Sequence, residues 1–300
     1  MEPGAVVERL WPGGEAVVEP LGGGITNHNF KVEVDGEAFV LRIGGKDTEL
    51  LGIDRRDEHE ASLAAARAGV APEVVRFLEP EGYLVTRFVT GRPIPPEELR
   101  RPENLQRAAR LLRTIHEGEE IRARFDSFRV VEAYRTEAAK HGVEPPPAYA
   151  EAEELAATIE ATRAGASVCP CHNDLLNANF IDDGKRLWLV DWEYAGMGDR
   201  FFDLANFAVN HELEPAEDSL FLRAYFGAER DEDLAALTLM RFMSDFREAM
   251  WGVVQQAISE LEFDFVAYAA QHFERMRKTA ADERFRLALA RPLLTLRPPA

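Results

Sequence analysis

The fold is decided by the stretch His172-Asn173-Asp174-Leu175-Leu176-Asn177-Ala178-Asn179-Phe180, followed by Leu187-Trp188-Leu189-Val190-Asp191-Trp192. Its polar residues Asp174, Asn179 and Asp191 are an acid, an amide and a second acid. Their spacing is the one that holds a nucleophile and a magnesium ion around the terminal phosphate of a nucleotide. The pattern predicts phosphoryl-transfer chemistry.

A β-hairpin is predicted between the two halves of this stretch, because Asp182-Asp183-Gly184-Lys185 is a turn signal with apolar residues on both sides. A two-residue turn at Asp183-Gly184 would fold residues 179–181 against residues 186–188. The Asn179 amide and the Asp191 carboxylate would then reach one hard cation. Mg²⁺ suits such a site, since it takes one or two protein oxygens and fills its octahedron with phosphate and water.

Asp174 lies five residues before Asn179. There it would orient an attacking hydroxyl and accept its proton. The alternative for these residues is purely structural. Asp174 and Asn179 would cap turns, and Asp191 would end a strand.

Composition limits the possible partners. The chain has 300 residues, 46% of them hydrophobic and 29% charged, and its formal net charge is -18. Nucleic acids and anionic membranes need clustered cations, so neither is an expected partner, whereas a cationic substrate is compatible with this charge.

Without an apolar run of signal-peptide or membrane-span length, we expect a cytoplasmic protein. A second copy of the chain is a candidate partner, as in a homodimer.

Two lobes are predicted from the order of strand-like and helix-like segments. Residues 1–90 are predicted to form an N-terminal lobe, with an antiparallel sheet that includes a hairpin at Asp35-Gly36 and with one helix over residues 54–69. Glycine and proline in Thr90-Gly91-Arg92-Pro93-Ile94-Pro95-Pro96 mark the boundary. Residues 91–300 are predicted to be mostly helical. Predicted helices there begin after residue 97 and include residues 149–165, 203–211, 216–226 and 231–258.

A glycine-rich segment precedes the second predicted strand and reads Leu21-Gly22-Gly23-Gly24-Ile25-Thr26-Asn27. Such a segment lets the main chain approach a ligand closely and offers N–H groups and hydroxyls to phosphate oxygens. A hairpin turn without a ligand explains the glycines equally well.

From about Leu21 to Arg277 the chain resembles the choline/ethanolamine kinase branch of the aminoglycoside phosphotransferase-like kinases. The segments that carry the resemblance are Gly23–Asn27, Phe39–Ile43, Cys171–Asn179, Val190–Gly196, Arg200–Asn206 and Trp251–Tyr268. The resemblance implies an α+β, two-lobed protein-kinase-like fold, with a small antiparallel β-sheet lobe and a larger helical lobe. It also implies that ATP and Mg²⁺ are the cofactors and that Asp174 is the catalytic residue, with Asn179 and Asp191 on the metal.

The resemblance further implies which residues bind the nucleotide. Its phosphates would be held by Gly23, Gly24, Thr26, Asn27 and Arg42, the last paired with a carboxylate of the following helix. Glu58 is the expected partner, and Glu60 stays open as an alternative. An edge-strand cation that faces water is the alternative role for Arg42.

The implied reaction is ATP-dependent phosphorylation of the hydroxyl of a small cationic amino alcohol, with choline as the first candidate and phosphocholine as its product. The substrate residues would be Asp174, Tyr194, Trp251 and Tyr268. Trp251 and Tyr268 would cage the ammonium group, because aromatic faces attract such cations; Tyr194 would adjoin the metal-binding strand, and Asp174 would contact the hydroxyl. A straight helix would place Trp251 and Tyr268 roughly 25 Å apart, so we expect a break within Ser259–Asp264. Both aromatics could instead belong to the core.

Other acceptors remain open. Many choline kinases have a second tryptophan three residues before Trp251, where this chain has Glu248. Ethanolamine, thiamine, or an aminoglycoside or sugar alcohol are the alternative acceptors. His172 is expected to support the loop, and Asp203 to anchor the helix that follows the metal-binding strand.

Overall fold

The computed structural model describes residues 2–22 and 27–291. Its first part is a five-stranded antiparallel sheet in the order β1-β2-β3-β5-β4. The strands are β1 Ala16–Leu21, β2 Asn27–Val34, β3 Glu37–Gly44, β4 Val74–Leu78 and β5 Tyr83–Arg87. Helix α1 (Pro3–Leu10), which was not predicted, packs against this sheet, and α2 (Arg55–Arg67) connects β3 to β4.

Local sequence accounts for the connections in this sheet. Asp35 and Gly36 form the predicted two-residue hairpin, since Val34 pairs with Glu37 and both turn residues have positive φ, 52° and 79°. The side chain of Asp54 caps the start of α2 by accepting hydrogen bonds from the N–H groups of Arg56 and Asp57.

The second part is mostly helical. Its helices are α3 Pro96–Leu99, α4 Pro102–His116, α5 Ser127–Lys140, α6 Ala148–Thr162, α7 Arg200–Asn210, α8 Pro215–Phe226, α9 Asp231–Ile258, α10 Phe265–Ala281 and α11 Glu283–Leu289. The sequence missed α5 because its buried stripe contains only four residues, Ser127, Val131, Tyr134 and Ala138. Helix α9 is the long central element, and α5, α7, α10 and α11 pack on it.

Short strands carry the predicted loop and hairpin. They are β6 Arg92–Pro93, β7 Val168–Cys171, β8 Phe180–Asp182, β9 Leu187–Leu189 and β10 Gly196–Asp199. β6, β8 and β9 form one sheet, and β7 pairs with β10. The hairpin turn is displaced by one residue from the prediction, because Asp182 pairs with Leu187. The Asp183 carboxylate accepts hydrogen bonds from the N–H groups of Lys185 and Arg186, both at 2.8 Å, and this capping centres the turn on Gly184-Lys185.

The expected helix break is confirmed, since α9 ends at Ile258 and α10 begins at Phe265. The two helices fold back on each other, and the ring centroids of Trp251 and Tyr268 are 5.5 Å apart. In the described part of the chain, no helix combines the length and the apolar character that a bilayer crossing requires.

Candidate active site

Asp174 lies in a loop whose main chain is held by side chains of α7. Asp203, which is fully buried, accepts hydrogen bonds from the N–H groups of His172 (2.8 Å) and Asn173 (2.6 Å). Asn206 Oδ1 accepts one from the N–H of Leu175 at 2.6 Å. Asp203 was expected to anchor the helix that follows the metal-binding strand, and these hydrogen bonds tie that helix, α7, to the Asp174 loop. The loop is therefore fixed immediately before and after Asp174.

His172 has the contacts of a loop support. Its Nε2 lies 3.0 Å from the carbonyl oxygen of Val190, and its Nδ1 accepts a hydrogen bond from the N–H of Asp174 at 3.3 Å. These partners require the proton on Nε2. Burial lowers the pKa of His172, so the ring is neutral and both of its nitrogens serve the loop.

Asn179 contacts Asp174 directly. Its Nδ2 donates to the main-chain oxygen of Asp174 at 2.8 Å and lies 3.4 Å from the Asp174 carboxylate. This fixes the orientation of the amide and leaves Oδ1 as its ligand atom. Burial raises the pKa of Asp174 well above its ordinary value, and the Arg247 guanidinium opposes that shift.

Asp191 follows the hairpin in an unusual backbone conformation, with φ of 70°. It lines the same cavity as Asn179, Arg42 and Glu58. A carboxylate and an amide oxygen are ligands that a hard cation such as Mg²⁺ accepts. The residues present therefore fit the expected metal.

Arg42 forms two ion pairs. Its Nη1 lies 2.7 Å from Glu58 Oε1 and 2.5 Å from Asp191 Oδ1. Glu60 instead accepts a hydrogen bond from the N–H of Arg122 at the surface, 2.8 Å away. The open choice is thus decided by contact: Glu58 is the partner of Arg42, and Arg42 is not an edge cation facing water.

Asn27 belongs to a second polar cluster beside this pair. Its Nδ2 donates to Glu193 Oε2 at 2.8 Å, and its Oδ1 accepts from Arg55 at 2.9 Å. Arg55 also pairs with Glu58 at 2.7 Å. Burial raises the pKa of Glu193 to about 7.

The sequence analysis did not identify Arg55 as a residue of this site. The predicted phosphate ligands Gly23, Gly24 and Thr26 lie outside the described residues.

A cavity of about 360 Å³ opens beside these charges. Val40 and Leu84 line it from the sheet, and Ile181, Val190 and Trp192 line it from the hairpin region. An apolar slot that leads to Arg42, Asn179 and Asp191 suits a molecule with a flat apolar ring and a charged end.

The three aromatic residues expected at the acceptor come together. Trp251 Nε1 donates to the Tyr194 hydroxyl at 3.2 Å, and the Trp251 and Tyr268 rings meet edge to face. The Tyr268 hydroxyl donates to Glu248 Oε2 at 2.7 Å. Glu248 is buried, so the aromatic cluster has one carboxylate in its wall. Tyr194 joins the cluster to the loop, because its carbonyl oxygen accepts from Asn173 Nδ2 at 2.9 Å.

The fold and this site define a two-lobed, kinase-like phosphotransferase. A family model described as choline/ethanolamine kinase matches residues 18–277. The chain belongs to the choline/ethanolamine kinase family. It is a small-molecule kinase that uses ATP and Mg²⁺.

Individual relatives agree with this assignment. The crystal structure of a choline/ethanolamine kinase family protein from Mesorhizobium loti is 32% identical, with a TM-score of 0.83 over 96% of this chain and 97% of that one. A structure of LicA in complex with AMP is 26% identical, with a TM-score of 0.77 over 93% and 96%. A probable ethanolamine kinase from Arabidopsis thaliana is 24% identical over 87% of this chain and 79% of its own.

Proposed function

We propose that this kinase phosphorylates the hydroxyl of a small cationic amino alcohol, with choline as the first candidate. The observation that carries the proposal is the aromatic cluster of Tyr194, Trp251 and Tyr268 beside the Asp174 loop. A quaternary ammonium group has no N–H to donate, so a site must bind it through aromatic faces and carboxylates. The cluster offers both.

Each group of site residues has its own role in the proposed reaction. Asp174 orients the acceptor hydroxyl and takes its proton as the phosphoryl group is transferred. Asn179 and Asp191 would hold Mg²⁺, which neutralises charge on the phosphates when bound. Arg42 binds phosphate oxygens, and its ion pair with Glu58 fixes the guanidinium. Gly23, Gly24, Thr26 and Asn27 stay predicted phosphate ligands.

Ethanolamine is the second candidate, and Glu248 is the specific observation that favours it. Tyr194, Trp251, Tyr268 and Glu248 together form what we call the acceptor wall. The buried Glu248 carboxylate, bonded to the Tyr268 hydroxyl, gives this wall a strong hydrogen-bond acceptor. A primary ammonium has three N–H donors for such a wall, whereas choline has none. The relative from Arabidopsis thaliana that is named a probable ethanolamine kinase is consistent with this acceptor.

The test is a turnover assay with ATP and Mg²⁺ across choline, ethanolamine, thiamine and an aminoglycoside. We expect saturation at micromolar to low millimolar concentration by choline or ethanolamine, with the other two at least about tenfold lower in kcat/KM. Preference for the aminoglycoside or for thiamine would contradict the proposal. A homodimer, a cytoplasmic location and the absence of nucleic-acid and membrane partners stay predictions.

A further inference from the structure

The acceptor wall and the Asp174 loop are joined by a buried arginine with no assigned role in phosphoryl transfer. Arg247 lies on α9 with 2% of its surface exposed. Its Nη2 donates to the main-chain oxygen of Asn173 at 2.7 Å. Asn173 is the residue immediately before Asp174, so the guanidinium holds the loop one peptide unit from the carboxylate.

The backbone of Asn173 is in the left-handed region, with φ of 67°, which asparagine tolerates better than most residues other than glycine. The conformation still costs free energy in a residue other than glycine, and surrounding contacts stabilise it. The N–H of Asn173 donates to Asp203, its side chain donates to the carbonyl oxygens of Tyr194 and, at 3.5 Å, Cys171, and its own carbonyl oxygen accepts from Arg247. Only the last contact comes from α9.

Arg247 is itself held on the acceptor side. Its guanidinium carbon lies 4.7 Å from the centroid of the Tyr194 ring, and its Nη1 is paired with Glu248. The other oxygen of Glu248 accepts the Tyr268 hydroxyl. A continuous series of contacts thus runs from Tyr268 through Glu248 and Arg247 to Asn173.

Burying an arginine and a glutamate removes two charges from water, and an apolar pair of similar volume is often at least as stable. Stability alone therefore gives little reason for this pair. The geometry of the pair gives a better reason, because a planar guanidinium can bond a carboxylate and a carbonyl oxygen at the same time and lie flat against a ring.

We propose that Arg247 is a positioning residue, which fixes the Asp174 carboxylate against the acceptor hydroxyl through the main-chain oxygen of Asn173. Glu248 orients Arg247 and ties it to the acceptor wall at Tyr268. The inference rests on the proposed function for its kinetic part only, because the support of the loop can be measured without turnover.

The test compares R247M, E248Q and the double variant R247M/E248Q with the wild type. R247M alone leaves Glu248 buried without its cation, whereas the double variant removes both charges. Arg241 supplies a matched control on the same helix: it pairs with Asp218 at 2.8 Å and donates to the carbonyl oxygen of Leu213 at 3.1 Å. R241M/D218N therefore removes a similar arginine, carboxylate and carbonyl arrangement at α8.

In R247M/E248Q we expect kcat to fall by about 100-fold, the loss typical of a small misplacement of a reacting group. The KM for ATP and calorimetric ADP affinity should stay within about twofold of wild type. R247K, which keeps the positive charge and three N–H donors but loses the planar fork of the guanidinium, should recover part of kcat relative to R247M. R241M/D218N should keep the wild-type kcat.

Hydrogen exchange provides the second readout. The amide N–H groups of residues 172–175 should exchange faster in R247M/E248Q, while peptides from the β1–β5 sheet stay unchanged; R241M/D218N should not show this local effect. Wild-type kcat in R247M/E248Q, or unchanged exchange in the loop, would overturn the proposal. A wild type inactive on every amino alcohol would refute the proposed function, while exchange would still decide whether Arg247 supports the loop.

Discussion

At the scale of single residues, one carboxylate carries the reaction and its neighbours fix it. The main chain of the Asp174 loop donates hydrogen bonds to Asp203 and Asn206 of α7, and the amide of Asn179 donates to the main-chain oxygen of Asp174. Each contact limits the motion of the carboxylate relative to the phosphate site. Catalysis by such a group depends on orientation as much as on proton affinity.

Asp174→Asn keeps the shape of the side chain and removes its ability to accept a proton. We expect kcat to fall by about 100- to 10,000-fold, the contribution typical of a positioned general base. Nucleotide affinity, measured by calorimetry with ADP and Mg²⁺, should change little. The control is Asp57→Asn, which removes a surface ion pair with Arg122. A variant with near-normal turnover would refute the role of Asp174.

At the scale of elements, the break between α9 and α10 builds the acceptor wall. Trp251 lies near the end of α9 and Tyr268 in the first turn of α10, so the reversal over residues 259–264 places their rings in contact. The reversal ends at Asp264, whose side chain accepts a hydrogen bond from the N–H of Ala267 at 2.8 Å and so caps α10. The position of Tyr268 thus depends on this cap.

Asp264→Ala should raise the KM for the amino alcohol several-fold and lower kcat less, because the first turn of α10 frays and Tyr268 moves. The loss in stability should be about 1 kcal/mol, the usual contribution of an N-cap, measured by urea unfolding. Asp282→Ala is the control, since the Asp282 side chain caps the start of α11 by accepting a hydrogen bond from the N–H of Arg284. Equal changes in acceptor KM in both variants would show that the α10 cap has no special link to the acceptor.

At the scale of the whole molecule, two cores and a strong negative field define the enzyme. One core joins α1 to the β1–β5 sheet, whereas the apolar face of α2 packs with the large helical core. Helix α2 also carries Arg55 and Glu58, which reach Glu193 and Arg42. The boundary near residue 90 stays a prediction, and α2 connects the nucleotide side of the site to the helical part.

The net charge of -18 should attract a cationic acceptor. Salt screens such a field, with a Debye length that falls from about 10 Å at 0.1 M to 3 Å at 1 M. We therefore expect the KM for choline to rise about two- to fivefold between 50 mM and 500 mM KCl. The neutral isostere 3,3-dimethylbutan-1-ol is the control, and its KM should not rise. Equal salt effects on both acceptors would contradict electrostatic attraction.

The sequence by itself determined the local features: the hairpin at Asp35-Gly36, the helix over residues 231–258, the break before Phe265 and the spacing of Asp174, Asn179 and Asp191. Such features depend on residues a few positions apart, so periodicity, turn chemistry and capping reveal them. The sequence-based prediction placed the turn of the hairpin between β8 and β9 one residue too early, because the Asp183 side-chain cap, and not Gly184 alone, sets that turn.

Only the tertiary structure decided how the polar side chains are paired. Glu58 and Glu60 are two positions apart on α2 and point to different sides, but the sequence does not say which side meets Arg42. Arg247 reaches Asn173 across 74 positions and Asn27 reaches Glu193 across 166. Contacts over such separations depend on how whole elements pack, and no local pattern in the sequence encodes them.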